Sequence, residues 1–407
     1  MLDDAVAFVR RAAPDSALMV EALQMRATIY GDQNKPTEQE RVITEAAALC
    51  ERPAGREAAC EEAWSGLGAL ASEQLKPWSA IAPYRRAYES RRARLGPEHA
   101  KTLDVASMLS WAQAQAGDLQ GGLQLAEGVH AAYQRIFTQP SETSLRAELR
   151  LFRLVKRAGQ TGRAVTLIDD YVTQARRVFG EHNPNTALGY SDRASLLYNI
   201  GRFDEAAAQF EVASKEYRAL KNDINAFLTQ TFWGESLRDA GRPAEGLPLQ
   251  REGVEALRKL YAKGEHILLG RALTSLALTE AALGHVERAL ELHTEAVAML
   301  RRLHVQGAPH AAWAQAFRGK ALFDLGRKAE GEAALRAAEQ ELAPHESDMP
   351  NQYWEPFALL TTVACANGAS DCAALKTQSG EALKLALAAT VRKRLEVAVS
   401  DRGGRPP

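Results

Sequence analysis

Side chains able to do chemistry are sparse in this 407-residue chain, and their spacing argues against a reactive centre. Of nine histidines, His285 and His293 lie eight residues apart in one helical pattern. That is two turns along a helix, too far to share a metal ion. His99 and His182 each stand just before a helical run, with Thr102 and Thr186 close behind, which suits capping or packing better than proton transfer. Neither has a nucleophile nearby in sequence. No phosphate-cradling loop, dinucleotide glycine fingerprint, nucleophile elbow, HExxH or paired CxxC occurs. The expectation is a chain without catalytic residues, metal ligands or cofactor.

Two further groups could carry function. Cys50 and Cys60 flank "ERPAG", and Cys365 and Cys372 flank "ANGAS". Each pair could bridge a helix hairpin, as in an oxidising compartment, or the four could be small apolar residues. The sequence leaves both readings open. The run "YRRAYESRRARLG" gathers Arg85, Arg86, Arg91, Arg92 and Arg94, with two aromatics, Tyr84 and Tyr88. The tyrosines are one helical turn apart, a packing arrangement rather than a base-stacking platform, so a solvated helix face is expected. A net charge of -1 supplies no field for nucleic acid.

The elements that must position these residues are helices. The chain has 74 alanines, the best helix former, and 46% hydrophobic residues. No stretch approaches eighteen uncharged apolar residues, so no membrane span is expected, and "MLDDAVAFVRR" does not read as a secretory signal. The expected location is cytoplasmic, or periplasmic if an anchor lies upstream.

Breaks between apolar helical patterns recur at Asn34, Leu75, Gly117, Gly159, Gly201, Gly241, Gly284, Gly326 and Gly368, spaced 41, 42, 42, 42, 40, 43, 42 and 42 residues apart. Five residues after each break stand Gln39, Ala80, Gly122, Ala164, Ala206, Gly246, Ala289, Gly331 and Ala373. Small residues also favour the position seven before each break, as at Gly68, Ala194, Gly234, Ala277 and Gly319. Two antiparallel helices can approach closely only where side chains are short, so each unit reads as a hairpin whose exposed face is buried by stacking on the next.

The residues carrying this register resemble the tetratricopeptide repeats. In "WSGLGALASEQLKPWSAIAPYRRA", Trp64, Leu67, Gly68, Ala80, Tyr84 and Ala87 stand at the family's spacing. The family unit is about 34 residues, so the period here is similar to the longer variety of kinesin light chains and bacterial signalling proteins. "LGPEHAKT" at 95–102 and "FGEHNPNT" at 179–186 resemble that variety's linker. The resemblance implies an all-α, right-handed superhelix over residues 1–395: a half repeat at 1–14, about nine hairpins, and a flexible tail at 396–407. The half repeat suggests a portion of a longer protein.

The resemblance also implies where a partner binds. The first helix of each hairpin lines the concave surface, at thirteen, ten, six and three residues before each break. Those positions hold Asp104, Trp111, Arg146, Arg153, Lys156, Ser195, Tyr198, Glu235, Arg238, Arg271, Trp313 and Lys320. Cations outnumber anions in this set, and arginine forks suit carboxylates. The expected function is a non-enzymatic protein-interaction scaffold holding an acidic or C-terminal-carboxylate peptide across the copies from 117 to 284. The alternative is a regulatory segment of a larger signalling protein, with a serine/threonine kinase or transcriptional regulator upstream. Self-association through the open N-terminal hairpin is a further expectation.

Overall fold

The computed structural model describes residues 2–33, 35–51, 55–74, 76–262, 266–303, 308–346, 349–385 and 387–400. They form twenty α-helices, with no strand among the described residues. The breaks expected at Asn34 and Leu75, and the end of the tail at 401–407, lie outside them. Among the described residues no helix is long and apolar enough to cross a membrane.

Two compact units share the chain, residues 1–174 and 175–407. Unit 1 stacks α1 (Leu2–Ala12), α2 (Ala17–Asp32), α3 (Pro36–Ala48), α4 (Glu57–Glu73), α5 (Pro77–Leu95), α6 (Ala100–Gln115), α7 (Leu119–Ile136) and α8 (Glu142–Arg157). Helix α9 (Thr161–Phe179) crosses the boundary. Unit 2 continues with α10 (Pro184–Asn199), α11 (Phe203–Ala219), α12 (Asp223–Asp239), α13 (Pro243–Leu260), α14 (Ile267–Ala282) and α15 (Val286–Arg302). It closes with α16 (Ala308–Asp324), α17 (Lys328–Leu342), α18 (Pro350–Ala366), α19 (Cys372–Ala382) and α20 (Ala389–Val399).

All seven glycine breaks from Gly117 to Gly368 have positive φ, 83° at Gly201. There the N–H of Arg202 returns to the carbonyl of Leu197 at 2.9 Å, closing the helix end as a left-handed residue allows. The small residues before and after each break face one another across the hairpin. A Cβ built on Gly246 would lie 2.4 Å from the carbonyl oxygen of Gly234, and one on Gly331 would lie 2.7 Å from that of Gly319. The helices thus touch backbone to backbone, and larger residues such as Leu197 and Phe210 fill the space alongside.

Helix α1 buries Val6 and Val9 in the unit 1 core. Helix α20 runs through Val399 with Leu395 and Ala398 buried, so the segment expected to be tail from 396 begins as packed helix. Both cysteine pairs are disulfides. Cys50–Cys60 and Cys365–Cys372 have Cα separations of 5.4 and 4.9 Å, joining α3's end to α4 and α18 to α19.

Candidate binding cavity

The inner helices of unit 2 line a cavity of about 500 Å³, within the range of ligand pockets. Each helix contributes at the spacing expected from the repeat. Tyr198 comes from α10, Glu235 and Arg238 from α12, Arg271 from α14, and Trp313 from α16. The structure therefore brings together five of the named groove residues, and Ser195 with them.

Their charges are arranged differently from the expectation. Arg238 lays Nε and Nη2 on the two carboxylate oxygens of Asp239, at 2.8 and 2.7 Å. Its Nη2 also lies 3.6 Å from Glu235. Tyr198 donates its hydroxyl to Asp239 and lies 3.1 Å from Glu235 Oε1, while Ser275 reaches Glu235 Oε2 at 3.2 Å. Arg238 is thus the centre of an internal network, not a fork held ready for a partner. Burial raises the Glu235 carboxyl against the pull of Arg238. Burial acts the same way on Asp239, but there the guanidinium outweighs it and the group stays below the usual carboxylate range. The expected cationic excess is absent, since Asp192, Glu235 and Glu355 also line the cavity.

Arg271 stands apart. Its guanidinium lies 5.8 Å from the Phe232 ring centroid, and it has no hydrogen bond or ion pair to any described residue. Burial lowers its pKa, with Glu235 opposing. His310 lies beside it, is likewise without a hydrogen-bond partner among the described residues, and is brought down to about 4 by burial and by Arg271. Its ring is neutral at physiological pH, able to donate from one nitrogen and accept at the other.

Helices α18 and α20, both outside the expected set, also line the cavity. Glu355 of α18 accepts from Trp313 Nε1 at 3.0 Å and from Arg394 Nε of α20 at 2.9 Å. Glu355 occupies the position thirteen before Gly368, so the repeat could have found it. Arg394 belongs to no repeat and had no such signal. His310 lies just outside the four inward positions of its copy.

The other named residues sit elsewhere. Lys320 pairs with Asp324 on its own helix at 2.6 Å. In unit 1, Arg146 is exposed and paired with Glu142, Lys156 lies 5.5 Å over the Phe152 ring, and Arg153 and Trp111 are half-buried. Asp104 is also half-buried there.

The remaining chemistry-bearing residues make local contacts. His99 caps α6 by accepting from the N–H of Lys101, whereas the cap of α10 is Asn183, and His182 instead meets Glu216 at 2.8 Å. His293 is buried against Phe317, and burial takes its pKa down to about 3. The arginine run is largely the solvated face expected of it, with Arg85, Arg86, Arg92 and Arg94 exposed, but Arg91 is turned inward. Arg91 is only 3% exposed and pairs with Glu62, Arg94 binds the buried Glu61, and Arg86 lies 4.6 Å over Trp64.

Fold and cavity define a helical-repeat protein whose first helices carry an internal polar site. Residues 269–310, one full period over α14, α15 and the start of α16, match the family model described as "Tetratricopeptide repeat". The chain is a repeat protein of the tetratricopeptide type. It is similar in structure to the apo form of RapI, at 11% identity over 93% of this chain and 97% of that one, with a TM-score of 0.60. A Rap protein crystallised with competence and sporulation factor is similar at 14% identity over 84% and 98%, with a TM-score of 0.52. BtubC (BKLC) from P. vanneervenii shares 17% identity over 56% and 91%, with a TM-score of 0.48. At these identities the likeness is one of fold. No curated protein matches the sequence.

Proposed function

We propose that the chain is a non-enzymatic binding protein whose unit 2 cavity receives a short segment or peptide of a partner through a free carboxylate held by Arg271. The observation carrying this reading is that Arg271 brings five N–H donors to a cavity where no described residue accepts from them. A half-buried guanidinium with no hydrogen-bond acceptor among the described residues is open to an anion, and a planar carboxylate matches its fork. Neutral His310 beside it can donate to the same anion without adding a charge. Phe210, Phe232 and Trp313 supply the apolar contact area that peptide recognition needs.

That a Rap protein of like fold was crystallised with competence and sporulation factor supports reading such a fold as one that can hold a ligand. The two disulfides favour an oxidising compartment over the cytoplasm.

The test is an array of short peptides with free C-terminal carboxylates, each beside its C-terminal amide, probed with the intact chain and with Arg271→Gln. Free-acid peptides should be retained selectively, and Arg271→Gln should lose at least about tenfold in affinity for them. Equal retention of acids and amides, or binding indifferent to Arg271→Gln, would overturn the assignment.

A further inference from the structure

We propose that α20 is a strap across the unit 2 cavity, one that opens locally to admit an occupant and closes again over it. The inference rests on reading the cavity as a binding site and adds how entry is controlled.

The placement of α20 points to this role. It packs on α18 and reaches α10, ten helices earlier in the chain, where a Cβ on Gly201 would lie 3.1 Å from that of Ala389. Thr390, Val391 and Arg394 line the cavity together with Ser195 and Tyr198 of α10. With α20 in place, a long extended segment lying along the inner helices from α10 to α18 would meet it.

The helix is also weakly held. Of its eleven residues only Val391, Leu395 and Ala398 are buried, against eleven of seventeen in α18. Its remaining fastenings are polar. The N–H of Ala388 donates to Asn351 Oδ1 at 2.8 Å, Arg392 Nη1 donates to the carbonyl of Leu383 at 2.8 Å, and Arg394 binds Glu355. The Arg394 guanidinium also lies 5.4 Å from the Phe317 ring centroid. An element with so little buried apolar surface belongs to the low-stability end of local opening.

Closure is favoured by the same pair. When α20 lifts, Glu355 keeps Trp313 but loses its guanidinium, leaving a largely buried carboxylate short of its partner. An occupant on Arg271 does not replace that contact, so the strap returns over a bound ligand instead of being displaced by it.

The test needs no ligand. Leu278 lines the cavity, and the four native cysteines are paired, so Leu278→Cys supplies one reactive thiol. Its labelling by fluorescein maleimide is followed in the full chain, with Arg394→Gln added, and with the chain ended after Leu387. Labelling of the full chain should be slow yet faster than global unfolding measured in urea. Arg394→Gln should speed it by about tenfold with the fold retained, and the truncated chain should label faster still. Labelling no faster than global unfolding and unchanged by Arg394→Gln would make α20 a permanent wall and overturn the proposal. Equally fast labelling in all three would overturn it too, by showing that α20 covers nothing. Because no peptide is involved, a strap that opens as expected in a chain that binds none of the arrayed peptides would refute the carboxylate site alone.

Discussion

Gly234 and Gly246 face each other across the α12–α13 hairpin so closely that a Cβ on Gly246 would lie 2.4 Å from the Gly234 carbonyl oxygen, and one on Gly234 2.7 Å from that of Gly246. The obstacle in both directions is backbone, which cannot swing aside like a side chain. Gly246→Ala should therefore cost about 2–3 kcal/mol as the helices are forced apart. Ser110 and Gly122 meet in the same way, with 2.4 Å from a Gly122 Cβ to the Ser110 carbonyl. Gly128, whose Cβ would meet nothing within 4 Å, should tolerate alanine at no cost or with a small gain. Urea denaturation of both variants checks the contrast.

The Arg238–Asp239 pair is nearly buried, with side chains 8% and 17% exposed. Asp239→Asn removes the charge that offsets the guanidinium and should destabilise by about 3–5 kcal/mol, whereas replacing both partners by apolar residues should cost less than the sum of the single changes. A double-mutant cycle on stability reads this directly. Additive losses would show that the pair does not act as a unit.

Glu148 is buried in unit 1, and burial, with Asp170 adding to it, raises its carboxyl pKa from 4.5 to about 7. A carboxyl raised on folding holds its proton more tightly in the folded state. Its contribution is therefore fully present below about pH 4.5 and lost as pH rises toward about 7. Glu148→Gln, which cannot ionise, should gain about 1–2 kcal/mol over the parent at pH 8 and little at pH 4.5. Chemical denaturation at the two pH values checks the sign.

The two disulfides should differ in their response to reductant. Cys50 and Cys60 are fully buried, while Cys365 and Cys372 are half-buried. Dithiothreitol should open Cys365–Cys372 first under native conditions, with each reduction costing about 2 kcal/mol for loops this short. Mass spectrometry after timed alkylation gives the order, and thermal scans give the loss.

The repeat was legible because its causes lie close together along the chain. A left-handed turn needs glycine at one position, and close helix contact needs small residues at fixed distances on either side of it. Gly201, Ala194 and Ala206 can therefore be read without knowing what else they touch. Inward-facing positions follow from the same register, which is why Tyr198, Glu235, Arg238, Arg271 and Trp313 come together at one cavity.

Which of those residues is available to a partner could not be read that way. Arg238 and Arg271 occupy equally inward positions in adjacent copies, yet one is consumed by Asp239 and the other meets no acceptor among the described residues, because pairing depends on rotamers and on neighbours contributed by other helices. Arg91 likewise looks solvated in its run of arginines until α4 brings Glu61 and Glu62 against it. The position of α20 goes further beyond the sequence. Its contact with α10 joins Ala389 to Gly201 across nearly half the chain, outside any period, so only the assembled fold could bring Arg394 to Glu355. The sequence by itself determined the helices, their turns and the face each turns inward, since those are set by local backbone and side-chain size. The tertiary structure decided which charges are satisfied and what covers the cavity, because those depend on packing between distant segments.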